Sequence, residues 1–326
     1  MKKYLLLIFC LFVFVISAQE QQYIAVKRTV NLMSVNFQIT VVVLDSEIGF
    51  INIAEAAAEI KRIEALISPL KEDSETSLVN NYAGIKPVQV SREFFEIVER
   101  ATHYAAISKG SFDITDAVLD DLWRFDGTMK YMPVRSEVEK LLPKINYKSI
   151  VLNKEKQTVF LENEGMKISF KAIAKGYILD KVKELLISKQ VKGGMIKASG
   201  VVTSWGTKIS GKKWMLGLEN SENIQKSIDW FPLIESSAST SNLFEKYINS
   251  NNHKYSYILN PKTGYPVEEI NRVTIFSKKA ELSDTLATTL FVMGKEEGLA
   301  LINQIPNTEA IILGANNVIY KSSGLK

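Results

Sequence analysis

Asp284 and Thr288 stand four residues apart in the stretch 281–294, Glu-Leu-Ser-Asp-Thr-Leu-Ala-Thr-Thr-Leu-Phe-Val-Met-Gly. On a helix that spacing puts a carboxylate and a hydroxyl on one face. Two such oxygens suit a hard cation such as Mg²⁺. Ser283 is an N-cap residue type, which would set Asp284 in the first turn. The same helix end would attract phosphate. Leu286, Leu290, Phe291 and Met293 are left for the core side. A structural reading competes: Asp284 completes the helix start and Thr288 bonds its own backbone. On this stretch alone both readings are open.

Composition removes other chemistries. Cys10 is the sole cysteine and sits within residues 1–18, which read as an export signal: Lys2 and Lys3, an apolar run, then Ser17-Ala18. Phe9 stands before Cys10, where a lipidation signal needs a small residue. Once the signal is cleaved, the chain has no thiol nucleophile, disulfide or cysteine metal site. His103 and His253 are the two histidines, too few for a multi-histidine zinc site. The formal charge is +4 with both signs intermixed, which gives no electrostatic case for nucleic acid. Retained rather than cleaved, the leader would hold the chain at a membrane.

The elements that must position the pair follow from periodicity. Alternation across 23–43 predicts paired strands. Ile53, Ala56, Ala57, Ile60, Ile63 and Ile67 form a helical stripe that Ser68-Pro69 ends. Residues 71–81 are polar and read as a loop. A second helix spans 91–108, and a short one runs from Leu119 to Trp123. Strand-like runs lie at 149–152, 158–161 and 167–170. A long helix spans 172–189, more strands fill 195–240, and Asn260-Pro-Lys-Thr-Gly264 marks a turn after a strand at 256–259. Residues 249–254, with His253, read as a polar turn. Strands and helices come in runs, so the fold class is α+β: one two-lobed domain, residues 19–326, of mixed or antiparallel sheet flanked by helices.

Six stretches, in order, resemble one family. They are Asn31-Leu-Met33-Ser-Val-Asn36, the segment from Asp73-Ser74 to Asn80, and Gly110-Ser-Phe-Asp113-Ile-Thr115 with Leu122-Trp123. Then come Lys171-Ala-Ile-Ala-Lys175-Gly-Tyr177 with Asp180, Tyr257-Ile-Leu-Asn260-Pro-Lys-Thr263-Gly-Tyr-Pro266, and Ser283-Asp-Thr-Leu-Ala-Thr288. Together they resemble the ApbE-type FAD:protein FMN transferases, with an ApbE-like, T-fold-related architecture. The resemblance implies a Mg²⁺-dependent enzyme with FAD as substrate. It would move FMN onto a Ser or Thr hydroxyl of an exported or membrane acceptor protein and release AMP; some relatives hydrolyse FAD instead.

By position, the resemblance makes Asp284, Thr288 and the Ala172 carbonyl metal ligands. Met33, Ser111, Phe112, Asp113, Lys175 and Ile258 become FAD contacts. Asp284 and Tyr257 become the catalytic candidates. Plain roles compete: core for Phe112, strand residue for Met33, N-cap for Asp113, solvated helix residue for Lys175, turn residues for Asn260 and Thr263. Four positions depart from the pattern. Tyr257 replaces a histidine, and a free tyrosine titrates near pH 10, a poor base at neutral pH. Ser169 replaces an aspartate, Ser199-Gly200-Val201 replaces Gly-Gly-Asp, and Leu70 replaces an aromatic. A working transferase and a flavin-binding relative without transfer are both consistent with these changes.

Overall fold

The computed structural model describes residues 22–126, 128–129, 131–219, 227–243, 245–250 and 253–325. The expected leader, residues 1–18 with Cys10, lies outside them.

β1 (Ile24–Leu32) and β2 (Val35–Val43) pair antiparallel through Met33-Ser34, both at positive φ, 53° and 57°. Such two-residue turns match the twist of a hairpin. Met33 is thus a turn residue, not a strand residue. Along β2, Phe37, Ile39 and Val41 face one core while Val42 faces another, the period of two that a strand imposes. Helix α1 (Ser46–Ile67) is capped by the Asp45 carboxylate and buries Ile53, Ala56, Ile60, Ile63 and Ile67. Removing one of these, as in Ile60→Ala, would cost about 2–5 kcal/mol.

The expected loop at 71–81 instead holds helix α2 (Glu75–Asn81), capped by Ser74. Seven residues are too few to show a hydrophobic period; Thr76 bonding the Ile67 carbonyl at 2.8 Å fixes the helix against the end of α1. β3 (Val88–Gln89) and α3 (Arg92–Ile107) follow, the latter burying Phe94, Phe95, Ile97, Val98, Ala101 and Ala105. A 3₁₀ helix, Ile114–Asp121, takes the place of the short helix expected at 119–123. After α4 (Arg135–Leu141), β4 (Ile150–Asn153) and β5 (Thr158–Leu161) join β3 in a small antiparallel sheet. The strand expected at 167–170 is extended chain without a strand partner. The Asn80 amide bonds both the N–H and the C=O of Ile168, at 2.8 and 3.0 Å, doing the work of a neighbouring strand.

Helix α5 (Ala174–Ser188) leads into β6 (Gly193–Ala198), β7 (Val201–Trp205), β8 (Trp214–Glu219), β9 (Ser227–Leu233) and β10 (Ser237–Asn242). β11 (Tyr247–Ser250) and β12 (His253–Ser256) form a hairpin where a polar turn was expected, so the backbone of His253 belongs to a strand. β13 (Ile270–Ser277), α6 (Ala280–Met293), α7 (Lys295–Ile302), β14 (Glu309–Gly314) and β15 (Ile319–Lys321) complete the chain. Eight strands form one antiparallel sheet in the order β1-β2-β6-β7-β10-β13-β14-β15.

α1 and α5 cover one half of this sheet and α6 with α7 the other, giving two apolar cores on that side. The β8–β9 hairpin covers the opposite face through Trp214 and Leu233 against Val42, Met195, Val202 and Ala238. The architecture is α+β with antiparallel sheet, as the run-wise order of elements indicated. Among the described residues no helix is long and apolar enough to cross a membrane.

Candidate active site

The site is built where α5 meets α6. Glycine at 176 permits the contact: a Cβ there would lie 2.2 Å from the Ala280 carbonyl oxygen. α6 starts at Ala280, one turn earlier than Ser283 suggested. Its first free amides are taken by a carboxylate from α5, with Ala280 N and Glu281 N donating to the two Asp180 oxygens at 2.9 and 3.0 Å. Ser283 bonds Ser277 and the Lys279 carbonyl instead. The expected N-cap and first-turn phosphate site are therefore corrected: Asp284 lies in the second turn, and the helix end already holds a carboxylate. A cap supplied from a hundred residues away leaves no local signature.

Asp284 is 3 % exposed. Its Oδ2 accepts from Gly176 N at 3.0 Å. Its Oδ1 is held more loosely, with Ser239 Oγ at 3.3 Å and Lys175 Nζ at 3.5 Å. Burial pushes the carboxyl up, and the Lys175 ammonium, the Gly176 amide and Ser239 pull it back. The Gly176 amide faces Asp284 rather than closing the helical ladder onto Ala172, so the Ala172 carbonyl is left outside that ladder. Thr285 and Thr289 bond back to the carbonyls of Glu281 and Thr285, as threonines in helices do. Thr288 makes no such bond among the described residues, which sets aside its structural reading.

Thr288 and Ala172 line one small recess of about 20 Å³ with Ser111, Phe112, Asp113 and Ser169. That volume holds one small ligand, on the scale of a single water. Ser169 Oγ is buried there without a hydrogen-bond partner. A free carbonyl, a free hydroxyl and an adjacent carboxylate with a loosely held oxygen fit a small divalent cation that keeps waters, as Mg²⁺ does. Among the described residues no group of three or more His, Cys, Asp or Glu side chains gathers to hold a metal. Asp113 and Asp116 line the recess, and Asp284 stands one helical turn from Thr288 without lining it. A hollow of about 370 Å³ shares Asp113 and Pro261 with the recess and is lined by Lys109, Lys148 and Lys262. Its size falls in the range of ligand pockets, and its lysines favour an anionic occupant.

The remaining predicted residues divide between lining and scaffold. Asp113 caps the 3₁₀ helix, accepting from Thr115 N, Thr115 Oγ1 and Tyr147 N at 2.7–2.9 Å, so both its oxygens are engaged. Phe112 belongs to the main core and also lines the recess. Ser111 is buried, with Lys262 Nζ 3.4 Å from its hydroxyl. Ile258 is 3 % exposed and packs in the α6 core, while its neighbours Leu259 and Pro261 face the recess. Met33 does not line either space. Its turn lies at the same end of the sheet as Ser199-Gly200, because Phe37 pairs with Ala198. Leu70 is 93 % exposed. Asn260 and Thr263 bond within their own turn, which fits the plain reading.

Tyr257 donates to Glu245 Oε2 at 3.3 Å, and its ring meets Phe125 edge-on. Burial first, then the Glu245 and Asp284 charges, push its phenol above the ordinary tyrosine range. That holds the phenol neutral, as the donor to Glu245. Sequence reasoning missed two groups. Asp116 lines the recess and pairs with Lys171 at 3.3 Å; burial raises its carboxyl to about 6 against the pull of Lys171. Glu245 bridges Tyr257 and Ser199. Lys171 opens the Lys171-Ala-Ile-Ala-Lys175 stretch, a sequence signal for its partner Asp116; nothing local distinguishes Glu245.

Several known proteins are similar to this chain along most of its length. An FAD:protein FMN transferase of Klebsiella pneumoniae is 30% identical over 266 residues, covering 81% of this chain and 82% of its own. One from Treponema pallidum is 25% identical, covering 82% and 78%. The crystal structure of the ApbE protein from Thermotoga maritima superposes with a TM-score of 0.83 at 27% identity, covering 93% of this chain and 98% of its own. The sequence model of the ApbE family matches residues 33–312, which take in the Met33 turn, the recess, α5 and α6 alike, and the chain belongs to the ApbE family.

Proposed function

We propose that this chain is a Mg²⁺-dependent FAD:protein FMN transferase that works after export on a Ser or Thr hydroxyl of an acceptor protein. One observation carries the reading: Ala172 and Thr288, whose carbonyl and hydroxyl take no hydrogen bond among the described residues, line one recess, and Asp284 stands one helical turn from Thr288. Ala172, Asp284 and Thr288 would hold the magnesium ion. A bound magnesium ion supplies charge neutralisation for the FAD diphosphate.

The chain's own groups supply the rest. Lys175, 3.5 Å from Asp284, places a second positive charge next to that carboxylate. Ser169 offers an unpaired hydroxyl to a ligand in the recess. Lys109, Lys148 and Lys262 favour the negatively charged part of a dinucleotide in the larger hollow. Phosphoryl transfer asks mainly for positioning and charge stabilisation, which this set provides. In the reaction the acceptor oxygen bonds to the phosphorus on the FMN side, and AMP leaves with the electron pair of the broken phosphoanhydride bond. Residues 1–18 support export, and an uncleaved leader would keep the enzyme near a membrane.

The test mixes purified protein, FAD, Mg²⁺ and a flavinylation-target domain. Covalent flavin fluorescence in a denaturing gel is expected. FMN and AMP without labelled acceptor would instead show an FAD pyrophosphatase, and tight FAD binding without turnover a binding protein.

A further inference from the structure

Three side chains from separate segments meet at the end of the main sheet that carries the β6–β7 turn. Ser199 Oγ donates to Glu245 Oε1 at 2.7 Å, and Tyr257 Oη donates to Glu245 Oε2 at 3.3 Å. Ser199-Gly200 is the turn between β6 and β7, both residues at positive φ, 36° and 83°. Serine in that region is strained, and such strain gathers at functional sites. The turn is pressed against β10: a Cβ on Gly200 would lie 2.5 Å from the Thr240 carbonyl oxygen. β10 also supplies Ser239 to Asp284. One strand thus joins the Ser199 turn to the Asp284 carboxylate. Tyr257 feels both the Glu245 and the Asp284 charges.

We propose that Glu245 is the final proton acceptor of FMN transfer, reached through the Tyr257 hydroxyl, with Ser199 as the positioning residue that aims its carboxylate. The proposal rests on the transferase reading above. Neither Tyr257 nor Ser199-Gly200-Val201 offers a base of its own, whereas Glu245 is exposed and already accepts the Tyr257 proton's hydrogen bond. The acceptor hydroxyl gives its proton to the Tyr257 oxygen as the Tyr257 proton passes to Glu245. The new O–P bond forms, the P–O bond to AMP breaks with its electron pair on AMP, and the proton leaves Glu245 to water. No net charge is created on Tyr257, so its raised phenol is no obstacle. The carboxylates that face Tyr257 are Glu245 and Asp284, and Lys246 meets it only through its carbonyl, which accepts from Tyr257 N at 3.2 Å.

The experiment compares wild type, Glu245→Ala, Glu245→Gln, Glu245→Asp, Tyr257→Phe, Ser199→Ala and the Glu245→Gln/Tyr257→Phe double variant, with FAD, Mg²⁺ and acceptor domain. Glu245→Gln should lower kcat about 100-fold, within the range for proton-transfer catalysis, with KM for FAD changed less than about 3-fold. Glu245→Asp should recover activity to within about 10-fold of wild type. The double variant should be no slower than the slower single one, since both cut one path. Formate should restore part of the activity of Glu245→Ala, which a purely structural role would not allow. Wild-type-like kcat in Glu245→Gln, multiplicative losses in the double variant, or no formate rescue would each overturn the relay. If wild type binds FAD but never labels the acceptor, the transferase reading falls and takes the relay with it; if wild type labels normally and the variants do too, the relay alone falls.

Discussion

A carboxylate sealed from water resists ionising, and Asp284 is only 3 % exposed. Its Oδ1 is the more loosely held oxygen, with its two contacts at 3.3 and 3.5 Å. Asp284→Ala should lower transfer at least about 100-fold and flatten its dependence on Mg²⁺ concentration. It should also cost roughly 1–3 kcal/mol of stability, because the Gly176 amide and Lys175 lose their partner; a magnesium titration of rate and a thermal melt check both. Asp116 makes a second prediction. Its carboxyl stands at about 6 in the folded state against an ordinary 3.8. The folded chain therefore binds that proton more tightly than the unfolded chain, so this group's contribution to stability falls as pH rises from about 4 to about 6 and is level above. Asp116→Asn should remove that slope and raise stability near pH 7 by roughly 1–3 kcal/mol, read from urea melts across pH. Thr288 was legible from its spacing to Asp284, because four residues make one helical turn wherever the helix begins. Glu245 was not, since its partners lie 46 and 12 residues away on other elements.

At the scale of elements, apolar stripes located α1, α3, α5 and α6, because a helix that buries one face must write that face into its sequence. Periodicity failed where side chains replaced a neighbouring element. Asn80 stands in for a strand beside Ile168, and Asp180 stands in for a local cap on α6. The α5–α6 contact is the element-level requirement of the site. Gly176→Ala should push the helices apart at the Ala280 carbonyl, costing about 1–3 kcal/mol as an overpacked contact does. It should weaken metal-dependent transfer more than FAD binding. Asp180→Ala, which leaves two α6 amides without their carboxylate, should cost roughly 1–2 kcal/mol and lower activity through Asp284. Calorimetry and steady-state kinetics on the two variants separate these effects.

Across the whole molecule, the site draws on both apolar cores. Ala172 and Phe112 belong with the α1–α5 core, and Thr288 lies on the helix that fills the other. A ligand bridging them stabilises the entire native state by mass action. FAD with Mg²⁺ at about 100 times Kd should add about 2.7 kcal/mol, a rise of several degrees in Tm, and either component alone should give less. The fold class was legible because elements arrive in runs; the meeting of the two cores at one recess was not, because it depends on sheet order rather than on any local pattern. The clasp between Asp180 and the start of α6 carries a last consequence. Helix ends ordinarily fray, and their amide protons trade quickly with solvent. Those of Ala280 and Glu281 are locked onto another helix, so their deuterium uptake should be as slow as that of mid-helix amides in α5, and α5 and the start of α6 should open together or not at all.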